Sequence, residues 1–191
     1  MKIGLFFGSF NPIHKGHLAV AGYMLKHTGL DRVWFVVSPQ NPFKKKEDLL
    51  SDKERLKLVR MAIKGKKKLR ASDVEFGLPQ PSFTINTLTA LRKKFPTYEF
   101  SIIMGTDNLQ GFGKWKAHGK ILRVHRIYVY PRAGGHAGKW ADHPHVIITR
   151  APLMECSATS IREMIKQGKM SGKFIPPSVA AYIRKKGFYR G

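Results

Sequence analysis

The stretch that decides the fold is Lys2-Ile3-Gly4-Leu5-Phe6-Phe7, followed by Gly8-Ser9-Phe10-Asn11-Pro12-Ile13-His14-Lys15-Gly16-His17. The first part has the length of a strand and lacks the polar alternation of a half-exposed one, so both its faces are expected to be covered. Gly8 and Pro12 mark a tight turn. Leu18, Ala21, Gly22 and Leu25 then recur at helical spacing from about Lys15 to His27. Arg32 to Val37 is a second apolar, β-branched run, stopped by Ser38-Pro39-Gln40-Asn41-Pro42. Strand, helix and strand in this order make a β-α-β unit, the repeat of a parallel sheet.

Outward from that unit the alternation continues. Ser51-Asp52-Lys53-Glu54 has capping-box spacing and opens a helix through Leu56, Val59, Arg60 and Ile63 to near Gly65. A short strand is expected around Leu69 to Val74, a helix from Ser82 to about Lys94, and a buried strand at Phe100 to Met104 ending on Gly105. Strands at Arg126–Tyr130 and Val146–Thr149 flank a glycine-rich loop at Ala133–Gly138. Helices at Ser157–Gln167 and Ser178–Lys186 close the chain, the last with Pro176-Pro177 before it and Gly187 after it. Buried-type strands alternating with helices give an α/β class, a doubly wound parallel sheet with helices on both faces. The expected organisation is one domain over residues 1–191, with a small helical part at about 151–191. In such sheets ligands bind beyond the carboxyl ends of the strands, so chemistry is sought after Phe7, Val37, Met104 and Thr149.

The 191 residues include 42% hydrophobic and 25% charged ones, a globular balance that excludes wholesale disorder and fibrous repeats. No apolar run approaches the roughly 20 residues that span a bilayer. The opening strand runs into a glycine turn rather than a small-residue cleavage site, and Cys156 is the single cysteine; both point to a cytoplasmic protein with no membrane partner. Lys and Arg number 35 against 12 Asp and Glu, a formal charge of +23. Residues 44–70 hold 12 of the basic residues, Arg55 among them, and are read mainly as a solvated surface. Weak polyanion binding fits this charge; specific nucleic-acid recognition is not expected, because no known binding motif is present.

The turn after the first strand carries the chemistry. A glycine at the strand end and the free N–H groups at the start of the next helix suit a phosphate. His14 and His17 lie three apart on one face of that helix start, and both rings are expected to face the cleft as hydrogen-bond donors. With no third ligand nearby in sequence, they are not expected to bind a metal.

His14-Lys15-Gly16-His17 resembles the His-x-Gly-His signature of the nucleotidyltransferase superfamily, which follows the first strand of a Rossmann-like sheet. Cys156-Ser157-Ala158-Thr159-Ser160-Ile161-Arg162 is similar to its second signature, Ile-Ser-x-Thr-x-Ile-Arg. Ser82-Phe83-Thr84-Ile85-Asn86-Thr87, and Gly105-Thr106-Asp107-Asn108-Leu109 followed by Trp115, resemble segments of the bacterial nicotinate mononucleotide adenylyltransferases. The chain departs from that pattern at Phe83, Asn86 and Cys156, and in Asn41-Pro42-Phe43-Lys44, where the family has Pro-Pro-His-Lys.

The resemblance implies adenylyl transfer from ATP to nicotinate mononucleotide, yielding deamido-NAD and pyrophosphate, with Mg²⁺ carried on the triphosphate. It assigns His14 and His17 to catalysis on ATP phosphates. Gly8, Ser9 and Phe10 would line the phosphate path through their backbones, and Lys44 and Arg162 would hold the triphosphate, with Ser157 and Thr159 beside them. Gly105 would leave room for the nucleoside and Asp107 would accept from a ribose hydroxyl. Thr84 would meet the nicotinate carboxylate and Trp115 would stack on the pyridine ring. The alternatives are the same chemistry on phosphopantetheine or nicotinamide mononucleotide, or a basic nucleic-acid-binding module. A homo-oligomer is compatible with the sequence.

Overall fold

The computed structural model describes residues 1–39, 49–153, 156–169 and 172–190. Six strands form one sheet: β1 (Lys2–Gly8), β2 (Arg32–Val37), β3 (Leu69–Ser72), β4 (Glu99–Gly105), β5 (Ile127–Tyr130) and β6 (Val146–Ile148). Their order is β3-β2-β1-β4-β5-β6 and every pairing is parallel. The helices are α1 (Lys15–His27), α2 (Asp52–Ala62), α3 (Thr84–Lys94), α4 (Thr106–Gln110), α5 (His118–Val124), α6 (Ala158–Lys166) and α7 (Pro177–Lys186). The sheet is therefore Rossmann-like and doubly wound.

Residue parity along the strands divides the core in two. Ile3, Leu5, Trp34, Val36, Ile102, Met104, Ile127 and Val129 belong to one cluster, covered by Leu88 and Leu91 of α3 and Ile121 and Leu122 of α5. Phe6, Val33, Phe35, Val37, Ile103 and Tyr128 belong to the other, covered by α1 and α2 and also by Ile161, Ile165, Val179 and Ile183 of the two C-terminal helices. The small C-terminal helical part thus shares the core of the sheet. Because both faces are covered, the strands read as apolar runs without alternation.

Two sequence expectations shift. The third strand stops at Ser72, and Val74–Gly77 forms a 3-10 turn. The segment after β4 folds into α4 and α5, whose 5 and 7 residues are too short to show a helical period. No helix among the described residues is long and apolar enough to cross a membrane.

The chain winds from β1 outward to β3 and returns on the other side of β1 as β4, so a crevice opens beyond the ends of β1 and β4. One buried side chain fixes its rim. Arg55 of α2, read from sequence as part of the solvated basic run, is 0% exposed. Its Nη1 donates to the carbonyls of Ser9 (2.7 Å) and Ser38 (2.9 Å), and its Nε donates to that of Leu50 (3.0 Å). Its Nη2 donates to the Pro39 carbonyl (3.3 Å) and to the Asp52 carboxylate. The planar fork supplies five donors to five acceptors, which is why a guanidinium is tolerated there. Arg55→Met is expected to lower the unfolding free energy by about 3 kcal/mol, because four loop carbonyls lose their donor. Arg55→Lys should recover little of the loss, as one ammonium cannot reproduce the fork. Urea unfolding of both variants checks this.

Candidate active site

A cavity of about 220 Å³ occupies the crevice. Phe6, Phe7, Gly8 and Ser9 form its floor from β1, Ser38 closes the end of β2, and Ile102, Ile103 and Met104 contribute from β4. Glu75, Ser82, Phe83 and Thr84 line one side, and Asn108, Trp115, Lys116 and Tyr130 another. Four of the residues singled out from sequence meet here: Gly8, Ser9, Thr84 and Trp115. Thr84 is the first residue of α3. The Trp115 ring packs on Phe112 with centroids 5.3 Å apart, while remaining part of the cavity wall. Lys116 places its ammonium 4.7 Å from the Phe83 ring centre.

Gly8 is needed for a reason other than its turn. A Cβ there would lie 2.9 Å from the Phe10 ring, which folds back across it. Phe10 itself takes a left-handed backbone (φ 47) and buries its ring, 2% exposed, against Phe6, Phe35 and His17. Its side chain therefore belongs to the core beneath the turn, and it is not among the residues that line the cavity.

The two histidines form a stacked pair at the start of α1, with ring centroids 3.7 Å apart and planes 30° apart. The His14 N–H donates to His17 Nδ1 (3.3 Å), which in the neutral ring leaves the proton on Nε2. The expectation that both rings face the cleft is corrected at His14, which is 2% exposed. It is held beneath His17 and faces Cys156, whose Sγ lies 3.8 Å from His14 Nδ1. Burial, reinforced by the Arg132 cation, lowers the His14 pKa to about 4, so the ring is neutral near pH 7. His17 is half-buried and packs edge-on against Phe6, 5.8 Å away, a residue of the cavity wall; neither histidine itself lines the cavity. The first N–H of α1, at Lys15, is taken by the Phe174 carbonyl (2.8 Å), which removes it from any phosphate site.

The second signature closes over the same turn. Ser157 caps α6, its Oγ accepting from the Ser160 N–H (3.0 Å). Arg162 Nη1 donates to the Asn11 carbonyl (3.0 Å), and Nη2 reaches Thr159 Oγ1 at 3.5 Å. The Tyr189 hydroxyl donates to Asn11 Oδ1 (2.7 Å). Gly105 ends β4 where a Cβ would strike the Asp107 carboxylate and Arg132. Asp107 opens α4, half exposed, with its Oδ2 3.6 Å from Arg132 Nε. Neither Gly105 nor Asp107 lines the cavity, and Lys44 lies outside the described residues. Among those residues no group of three or more His, Cys, Asp or Glu side chains could hold a metal ion.

The cytidylyltransferase-like family pattern matches residues 5–164, from β1 through α6. The chain belongs to the cytidylyltransferase-like family. It is 50% identical over 192 residues to a probable nicotinate-nucleotide adenylyltransferase of Flavobacterium psychrophilum, covering 100% of both chains. A protein of the same description from Cytophaga hutchinsonii is 48% identical, covering 99% of this chain and 98% of that one. The fold is also that of the Plasmodium falciparum nicotinic acid mononucleotide adenylyltransferase complexed with NaAD. That structure matches with a TM-score of 0.83 and 20% identity, covering 98% of this chain and 97% of that one.

Sequence reasoning missed Arg132, Glu75, Ser38, Lys116 and Tyr130 in this family member. Arg132 and Tyr130 follow or end β5, at the same sheet edge as the other loops, so the strand-end rule applied to β5 would have found them. His125 is buried, 5% exposed, with Nδ1 2.7 Å from the Phe100 carbonyl.

The lowered His14 pKa makes a stability prediction. Between about 6.5 and about 4 the unfolded chain binds a proton that the folded chain does not. This contribution, roughly 3 kcal/mol, is complete above the unfolded value and is lost as pH falls toward 4. His14→Gln should therefore lose less stability than wild type between about pH 7 and 4.5, measured by urea unfolding at each pH.

Proposed function

We propose that the protein transfers the adenylyl group of ATP to nicotinate mononucleotide, as its relatives' names describe, releasing pyrophosphate and deamido-NAD. The observation that carries this reading is the cavity lined by Thr84, Trp115, Gly8 and Ser9 together, at the switch point of a chain matching those relatives end to end. An aromatic face with hydroxyl and N–H donors suits a pyridine carboxylate, and the adjoining histidine turn suits a triphosphate.

In this reading a phosphate oxygen of the mononucleotide attacks the α-phosphorus of ATP. A new P–O bond forms, the bond to the β-phosphate bridging oxygen breaks, and that oxygen leaves with pyrophosphate. No side chain forms a covalent intermediate, so catalysis is positioning and charge neutralisation. His17 donates from Nε2 to the transferring group. His14, neutral and buried, holds His17 in orientation through its backbone N–H and stacked ring. Arg162, Lys44 and Arg132 supply positive charge to the phosphates, Ser157 and Thr159 flank them, and Asp107 receives a ribose hydroxyl. A Mg²⁺ bound with the triphosphate would supply further charge neutralisation there.

Protein supplied with ATP, Mg²⁺ and nicotinate mononucleotide is expected to release pyrophosphate, with nicotinamide mononucleotide and phosphopantetheine far poorer acceptors. Equal turnover of the three would remove the acceptor assignment. His17→Ala should lower kcat by about 10²–10³-fold, the cost of one transition-state donor, while lowering stability by only the roughly 1 kcal/mol of a lost helix cap.

A further inference from the structure

Among the described residues that line the cavity, Glu75 is the one acid, and it is 1% exposed. It sits in the 3-10 turn after β3, and its Oε1 accepts from the Thr87 hydroxyl of α3 at 2.7 Å. Its Oε2 is fully buried with no hydrogen-bond partner. The Glu75 carbonyl accepts from Gln80 Nε2 (3.2 Å), and Gln80 Oε1 in turn accepts from the Ser82 hydroxyl (3.0 Å). The loop from Glu75 to Thr84 is thus built around this residue, and its far end carries Ser82, Phe83 and Thr84 into the pocket wall.

We propose that Glu75 is a positioning residue for the acceptor: anchored on Thr87, its buried carboxyl fixes the turn that presents Ser82, Phe83 and Thr84 to the mononucleotide. This rests on the acceptor reading above. The wall around this carboxyl favours its uncharged form. Burial pushes its pKa up, and the groups that pull it back are hydroxyls alone: Thr87 on α3, Ser38 after β2 and Ser82 before α3. The cavity's ammonium, Lys116, is engaged over the Phe83 ring. A carboxylate buried without a cation is costly, and one in this wall would also repel an anionic acceptor. One carboxyl oxygen accepts from Thr87, and burial of the other without a partner disfavours a full negative charge there.

The test is steady-state kinetics on the full chain from about pH 6 to 9, varying ATP and nicotinate mononucleotide separately, for wild type, Glu75→Gln, Glu75→Ala and Thr87→Val. Glu75→Gln, uncharged and of the same shape, should keep the acceptor KM within about twofold. Glu75→Ala and Thr87→Val should raise it about tenfold and leave the KM for ATP unchanged. Where Glu75 ionises, the wild-type acceptor KM should climb relative to that of Glu75→Gln, a ratio that cancels the acceptor's own phosphate titration. The proposal is overturned if Glu75→Gln is as impaired as Glu75→Ala, if both substrates' KM values rise together, or if the wild-type acceptor KM falls relative to that of Glu75→Gln as pH rises. Should Glu75→Ala fail to fold, Glu75→Gln and Thr87→Val still decide. Wild type that releases no pyrophosphate with this acceptor sinks the functional reading instead, whereas active wild type with an indifferent Glu75→Ala sinks only this one.

Discussion

The site depends on a single buried guanidinium. Arg55 has no solvent exposure, yet it holds the carbonyls of the turn after β1 and of the turn after β2 together. These two turns follow different strands, and the last backbone bond between them runs from the Ser38 N–H to the Gly8 carbonyl (2.9 Å). Beyond it the Ser9 and Ser38 carbonyls share the Arg55 guanidinium as donor. With it, Ser9 and Ser38 form one rigid rim. The desolvation cost of the cation is offset because every donor finds an oxygen, and because Asp52, one helical turn away, remains half exposed and keeps its own hydration.

Around that rim the parts differ in how far their charge is tolerated. His14 is driven neutral by burial and by Arg132, and Glu75 is pushed the same way by burial beside three hydroxyls. In the proposed reaction, which brings two anions together, such a wall disfavours negative charge and leaves the positive charge to longer side chains. Electrostatics and packing are solved by the same residues.

Much of this was legible in the sequence where local rules govern. The unbroken apolar runs of β1, β2 and β4 announced a sheet covered on both faces, and the helix bounds of α1 and the cap at Ser51 follow from spacing and side-chain chemistry. The histidine turn, Thr84 and Trp115 were visible as motifs. What was not legible is set by distance along the chain. Arg55 looks like any other arginine in a basic run until Ser9, 46 residues away, and Ser38 converge on it. His14 seems an open donor until Cys156 and Arg132 arrive from 142 and 118 positions onward to bury it and bias its charge. Gly8 suggests a sharp turn, but the demand on it comes from the ring of Phe10.

The bond between Tyr189 and Asn11 joins positions 178 residues apart, and the segment around Gly172 and Phe174 grips Lys15 by both its N–H and its ammonium. During synthesis, the histidine turn is made well before the segments that hold it. All six strands of the sheet precede those segments in the chain, so the turn gains its last holds after the strands exist. Rigidity at this turn thus arrives late, added by the chain that follows the sheet rather than by the sheet itself.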